Sequence, residues 1–131
     1  MQAVGLGGPR EEQYISSSFR LAAAVTLSSG QVLLTGGKDS ERKVFLLSGP
    51  GLTSWQSKED MLEARRGHAA VRLQLSEEVV VVAGGWGLRG EVLASVEVYS
   101  VVANTWQVLS PLAEPRADFA LQVTQLCEHY N

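Results

Sequence analysis

Gly85-Trp86-Gly87-Leu88-Arg89-Gly90-Glu91-Val92 has the spacing of a phosphate-cradling loop, satisfying both G-x-G-x-x-G and G-x-G-x-x-G-x-V. The loop also follows an apolar run, Val79–Ala83, as such loops do. What comes next excludes both chemistries. A dinucleotide site needs a helix whose N-terminus faces the pyrophosphate, whereas Val92–Tyr99 is alternating and β-branched. A kinase loop needs a phosphate-pairing lysine on a following strand, and no lysine occurs after Lys58. Thr35-Gly36-Gly37-Lys38-Asp39-Ser40 ends like a Walker loop. Val32 stands where its first glycine belongs, and Asp39 where the metal-binding hydroxyl should be.

Other chemistries are equally thin. Two histidines, His68 and His129, and one cysteine, Cys127, make no spaced ligand set, so no metal is expected. No basic cluster near Cys127 would lower its pKa, and no nucleophile elbow of the form G-x-S-x-G is present. The chain reads as a non-enzyme without a cofactor. The remaining candidates are cations and one aromatic: Arg65, Arg66 and Arg116, with Lys38, Trp86 and Arg89 in loops that follow glycine pairs. Arginine presents fixed donors that suit carboxylates or backbone carbonyls. The set could therefore receive an acidic peptide, or the arginines could clamp a neighbouring loop. Trp86 beside Arg89 is the kind of anchor interfaces favour, and it would equally serve as packing.

The elements that must position these residues come in two copies. Val32-Leu33-Leu34-Thr35-Gly36-Gly37 and Val79-Val80-Val81-Val82-Ala83-Gly84-Gly85 are the same sentence, 48 residues apart. Consecutive β-branched residues fit a strand buried on both faces. The glycine pair turns the backbone through conformations closed to other residues, or lets a second backbone pass closely. Before each run lies an alternating stretch: Leu21, Ala23, Val25 and Leu27, then Ala69, Val71, Leu73 and Leu75. After each run come a third strand, Val44–Leu47 or Ser95–Ser100, and a fourth holding Trp55 or Trp106. The tryptophans are 51 residues apart, so three extra residues belong between Gly85 and Trp106, in loops.

Ser57–Arg66 alone would pass as a short helix stopped by Gly67. Aligned on the tryptophans, it lies over Val108–Ala117, whose two prolines do not fit one helix interior. Both are read as loops. A third first-strand begins near Asp118, with Phe119, Leu121 and Val123 apolar and the register slipped by one residue against Arg65 and Arg116.

Composition agrees with a single β-rich globular unit: 131 residues, 45% hydrophobic, thirteen glycines. Eleven basic against fourteen acidic residues give a net charge of −3, with no electrostatic footprint for nucleic acid. No run approaches the ~18 apolar residues of a membrane span, and the amino terminus has no secretory h-region. A lone cysteine fits a reducing compartment, so an intracellular, cytoplasmic setting is expected.

An apolar run, Gly-Gly, then a Tyr and a Trp about seven residues on, with a period near 50, resembles the kelch repeat. The second copy carries Gly84, Gly85, Tyr99 and Trp106, then Pro115-Arg116; the first has Gly36, Gly37 and Trp55, with Phe45 or Leu46 in the place of Tyr and Ala64 in the place of Pro. The resemblance implies an all-β segment of a β-propeller, with about two four-stranded antiparallel blades plus a flanking partial blade. Its units are 20–66 and 67–117, with a linker, a loop or the end of a preceding blade over 1–19 and the start of a third unit and a tail over 118–131. A blade buries its two faces only against neighbours, so the chain is expected to be a fragment of a larger propeller or to need partner copies. The family implies a non-catalytic protein-interaction module. In adaptors that join kelch repeats to a BTB domain, it selects substrates for a cullin ubiquitin ligase, with the pre-strand segments and post-glycine loops lining the binding face. The alternative is part of a propeller enzyme such as an oxidase or isomerase, or a kelch appendage to one.

Overall fold

The structure is a computed structural model and describes residues 20–118. Eight strands form two four-stranded antiparallel sheets. The first holds β1 (Ala23–Thr26), β2 (Val32–Thr35), β3 (Val44–Ser48) and β4 (Ser54–Ser57), in that order. The second holds β5 (Ala69–Gln74), β6 (Glu78–Ala83), β7 (Val96–Ser100) and β8 (Thr105–Leu109), likewise in sequence order. Each sheet is a meander whose first strands, β1 and β5, lie side by side. The two sheets do not close on each other, as befits a partial propeller. No helix among the described residues is long and apolar enough to cross a membrane.

The valine run behaves as its composition demands. Val80, Val81 and Val82 are fully buried, because β6 is an interior strand with a covered surface on each side. Side chains alternate between those surfaces. Val80 and Val82, with Tyr99 and Trp106, meet Leu33, Val44 and Leu46 of the first sheet, and this layer joins the sheets. Val81 and Val96 point the other way, into a second cluster with Leu112. Val32, Leu34 and Leu47 form a third cluster on the far side of the first sheet, where Phe45 packs against Trp55 with the rings tilted by 60° and their centroids 5.7 Å apart. Burying one such side chain stabilises by about 1.5–3 kcal/mol, so the shared layer dominates the cohesion of the pair.

Strand registers correct two details of the repeat. Tyr99 pairs with Val80 and Trp106, and Leu47 pairs with Val32 and Trp55, so Leu47 is the counterpart of Tyr99, rather than Phe45 or Leu46. Phe45 instead matches Glu97. The three-residue difference is a net one: the β6–β7 loop is four residues longer than the β2–β3 loop, and the β7–β8 turn is one residue shorter than its counterpart. Both linkers, 58–68 and 110–118, are non-helical, as the prolines of the second required. The linker expected over 1–19 and the strand expected from Phe119 lie outside the described residues.

Candidate functional site

The ends of β2 and β6 and the starts of β1 and β5 meet at one rim, which is built from backbone. Gly37 N–H donates to the Arg65 carbonyl at 3.0 Å, and Gly85 N–H donates to that of Arg116 at 2.7 Å. Gly67 N–H donates to Leu21 O at 2.8 Å, and Asp118 N–H to Gly67 O at 2.7 Å, so each unit hooks onto the one before. The residue making this hook is left-handed every time: Leu21, Gly67 and Asp118 have φ of 66°, 62° and 55°. Arg66 and Trp86 exchange backbone hydrogen bonds of 3.0 and 2.7 Å, and Lys38 N–H donates to Arg20 O at 2.8 Å in the matching place. The Trp86 ring lies over Gly67, where a Cβ would strike it.

One step inward, Arg65 is 0% exposed and spans the repeat. Its Nη2 donates to Glu97 Oε2 at 3.0 Å and to Ser95 Oγ at 2.9 Å, and its Nη1 to the carbonyls of Gly84 and Ser95 at 3.0 and 2.9 Å. Glu97 is also buried, and its carboxylate accepts the backbone N–H groups of Leu62 and Glu63 at 2.7 and 3.1 Å. A buried carboxylate with a guanidinium and two amides has its lone pairs satisfied, the condition under which a buried ion pair is tolerated. The result fastens the inter-sheet linker to the second sheet.

His68 joins the sheets from the other side, its Nε2 lying 2.8 Å from Thr35 Oγ1, while Nδ1 is buried without a partner among the described residues. Burial, then the nearby Arg65 charge, pushes its pKa down to about 3. The folded chain therefore takes up this proton far below the usual histidine value of 6.5, where the unfolded chain takes it up. Stability is expected to fall as pH drops from 6.5 towards 3, by up to about 1.4 kcal/mol per pH unit. Urea midpoints measured from pH 7 to pH 4 check this, and His68→Phe is expected to flatten the slope.

Farther out, Trp106 Nε1–H donates to Glu59 O at 2.9 Å across the sheets, and Tyr99 O–H donates to Asn104 Oδ1 at 2.6 Å. Burial first, and the Glu59 charge second, push the Tyr99 phenol up to about 12. At the opposite rim, Glu78 accepts from the amide and hydroxyl of Ser28 and from Arg72, and the Ser28 amide chiefly holds its carboxyl below the usual carboxylate range.

The six binding candidates thus separate. Arg65 is a buried clamp, so the sequence alternative of a loop clasp describes it and the solvent-facing role does not. Lys38 and Arg89 are exposed, while Arg66 and Trp86 are half-buried at the rim. Arg116 is exposed on the second linker. Leu88, 66% exposed on the β6–β7 loop, shares a pocket of about 310 Å³ with Asp39, Arg42 and Lys43. Of the structural set, Tyr99 and Trp106 are buried against the first sheet, Trp55 is half-buried beside Phe45, and Gly36, Gly37, Gly84 and Gly85 all take positive φ. Glu97 and the Thr35–His68 contact were not singled out by sequence; an acidic residue between two valines of a strand was the available signal. Among the described residues, no group of three or more His, Cys, Asp and Glu side chains could hold a metal.

Comparison with known proteins places this geometry. The kelch motif profile matches residues 64–113. An F-box/kelch-repeat protein of Arabidopsis thaliana is 33% identical over 113 residues, covering 82% of this chain and 26% of that protein. A copper-bound fungal alcohol oxidase of the AA5 family superposes with a TM-score of 0.53 at 25% identity, over 72% of this chain and 19% of the oxidase. The chain thus spans about a quarter of the curated relative and a fifth of the solved structure. With two meanders, the repeated glycine pairs and the matched profile in one register, the chain belongs to the kelch-repeat family.

Proposed function

We propose that the chain is part of a non-catalytic kelch propeller that binds a protein partner through an acidic segment. The observation that carries this is the rim: backbone bonds set Lys38 beside Arg20, and Trp86 beside Arg66, while Arg89 stands exposed on the adjoining loop. None of these four cations forms an ion pair among the described residues. Fixed guanidinium donors beside a half-exposed indole suit carboxylates with an apolar neighbour. The finer reading is substrate recognition for a cullin-based ubiquitin ligase, reached through a domain outside residues 1–131. The name of the Arabidopsis relative favours an F-box over a BTB domain in that place. An oxidase reading is the weaker one, because His68 and Tyr99 are engaged in holding structure together.

The test is a triple substitution, Lys38→Ala with Arg66→Ala and Arg89→Ala, in the longest natural product that carries this chain. Capture of Asp- and Glu-rich peptides from a displayed library is expected to weaken at least about tenfold, or about 1.4 kcal/mol. The urea midpoint should stay in place, since Arg66 and Lys38 hold the rim through backbone atoms. Unchanged capture would refute the reading.

A further inference from the structure

We infer that β8 is an interface at which two copies of this chain pair their edge strands antiparallel, about a two-fold axis through Gln107. β8 ends the order β5-β6-β7-β8, so one row of its backbone N–H and C=O groups faces no further strand among the described residues. Such a row is a template for another chain, and folded proteins ordinarily blunt it with charge, proline or a bulge.

β8 carries none of these. Its residues, Thr105-Trp106-Gln107-Val108-Leu109, are uncharged, and no charged residue occurs between Glu97 and Glu114. Five consecutive pairs with β7 run without a bulge. Val108 is β-branched and apolar, yet 68% exposed. The other outer strand is a poorer template: on β4, Ser54, Gln56 and Ser57 are exposed and polar, and Lys58 follows directly. No exposed apolar side chain stands on it.

Register decides the occupant. Pairing about Gln107 sets that residue opposite itself, Trp106 of each copy opposite Val108 of the other, and Thr105 opposite Leu109. Side chains alternate along a strand, so Trp106 and Val108 share a face. Each exposed valine then lies beside the indole of the other copy, an aromatic and β-branched cross-strand pair of the kind that stabilises sheets. The indole is fixed in place by the bond from its Nε1–H to Glu59 O. Though buried against the first sheet, it lines a cleft of about 700 Å³ with Leu62 and Asn104. A strand of unrelated sequence would pair with the same backbone in any register, whereas this edge complements itself, as a two-fold interface requires. Five residues a side make a contact small beside a standard interface, so the dimer is a weak one that forms as concentration rises. No rim residue lies on β8, so pairing joins two rims in one particle.

A cysteine scan reads the register. In the longest natural product that carries this chain, Cys127→Ser is combined in turn with Gln107→Cys, Thr105→Cys and Gln56→Cys, and each protein is oxidised. Only residue 107 meets its own copy, so Gln107→Cys is expected to give a disulfide-linked dimer at least about tenfold faster than the other two. Sedimentation velocity supplies the second measurement, because Val108→Lys places a charge on the edge of both copies. Self-association is expected to weaken at least about tenfold in Val108→Lys and to persist in Val108→Thr, with the urea midpoint unmoved in both. Equal cross-linking at 105 and 107, or association that ignores Val108→Lys, would overturn the inference. A wild type that stays monomeric at every concentration would overturn it too, and would leave the edge to a strand of another protein.

Discussion

Arg65→Ala is expected to destabilise the paired sheets by about 3–5 kcal/mol, the cost of leaving a buried carboxylate without its counter-ion. Glu97 would keep the amides of Leu62 and Glu63, but the guanidinium that also binds the Gly84 and Ser95 carbonyls would be gone. Glu97→Ala should cost a similar amount, since Arg65 is 0% exposed and has no water to turn to. The informative variant removes both charges. Arg65→Met with Glu97→Leu is expected to be less destabilising than either alanine substitution, because apolar groups of similar volume replace a desolvated pair at little net cost. The first unit supports that sign: Phe45 occupies the place of Glu97, and in sequence Phe19 occupies the place of Arg65. Urea midpoints of the wild type and the three variants check this order. A double variant less stable than both singles would contradict it.

Gly36→Ala is the second large effect expected, about 2–5 kcal/mol, from left-handed backbone strain together with overpacking. Its φ is +63°, and a Cβ there would run into the Arg65 carbonyl, with His68 Cε1 at 2.8 Å and Met61 Cε at 3.1 Å. The carbonyl is the atom that Gly37 N–H reaches, so the added methyl pushes apart the two backbones that the rim draws together. Gly90 supplies the control. It too is left-handed, with φ +82°, but nothing lies within 4 Å of its Cβ position. Gly90→Ala should therefore show the conformational part alone, about 1–2 kcal/mol. Equal shifts in urea midpoint for the two variants would mean that close approach is not what the glycine pair provides.

The parts of the fold legible in the sequence were those dictated locally. Four β-branched residues before two glycines specify a buried strand and its turn whatever the neighbours do, and Pro111 and Pro115 forbid a helix over the linker. The counterpart of Tyr99 was misplaced because the one-residue difference in the β3–β4 turn can be fixed only by strand pairing. The site was harder. Arg65 and Glu97 are 32 residues apart, and whether an arginine before a strand faces solvent or a carboxylate depends on which sheet covers it. Arg66, adjacent in sequence, faces the rim instead. Neighbouring arginines thus have opposite fates, decided by backbone pairing with Trp86 for one and by the depth of the linker for the other.

The hooks from Gly67 to Leu21 and from Asp118 to Gly67 join residues 46 and 51 positions apart, yet the bonds differ by only 0.1 Å. They act as a metronome: each unit keeps the same beat however many residues it contains. Length added to the β6–β7 loop is absorbed at its tip around Leu88 and never reaches the joint. A loop library grafted between Gly87 and Glu91 would therefore vary the contact surface while the spacing of the sheets stays constant.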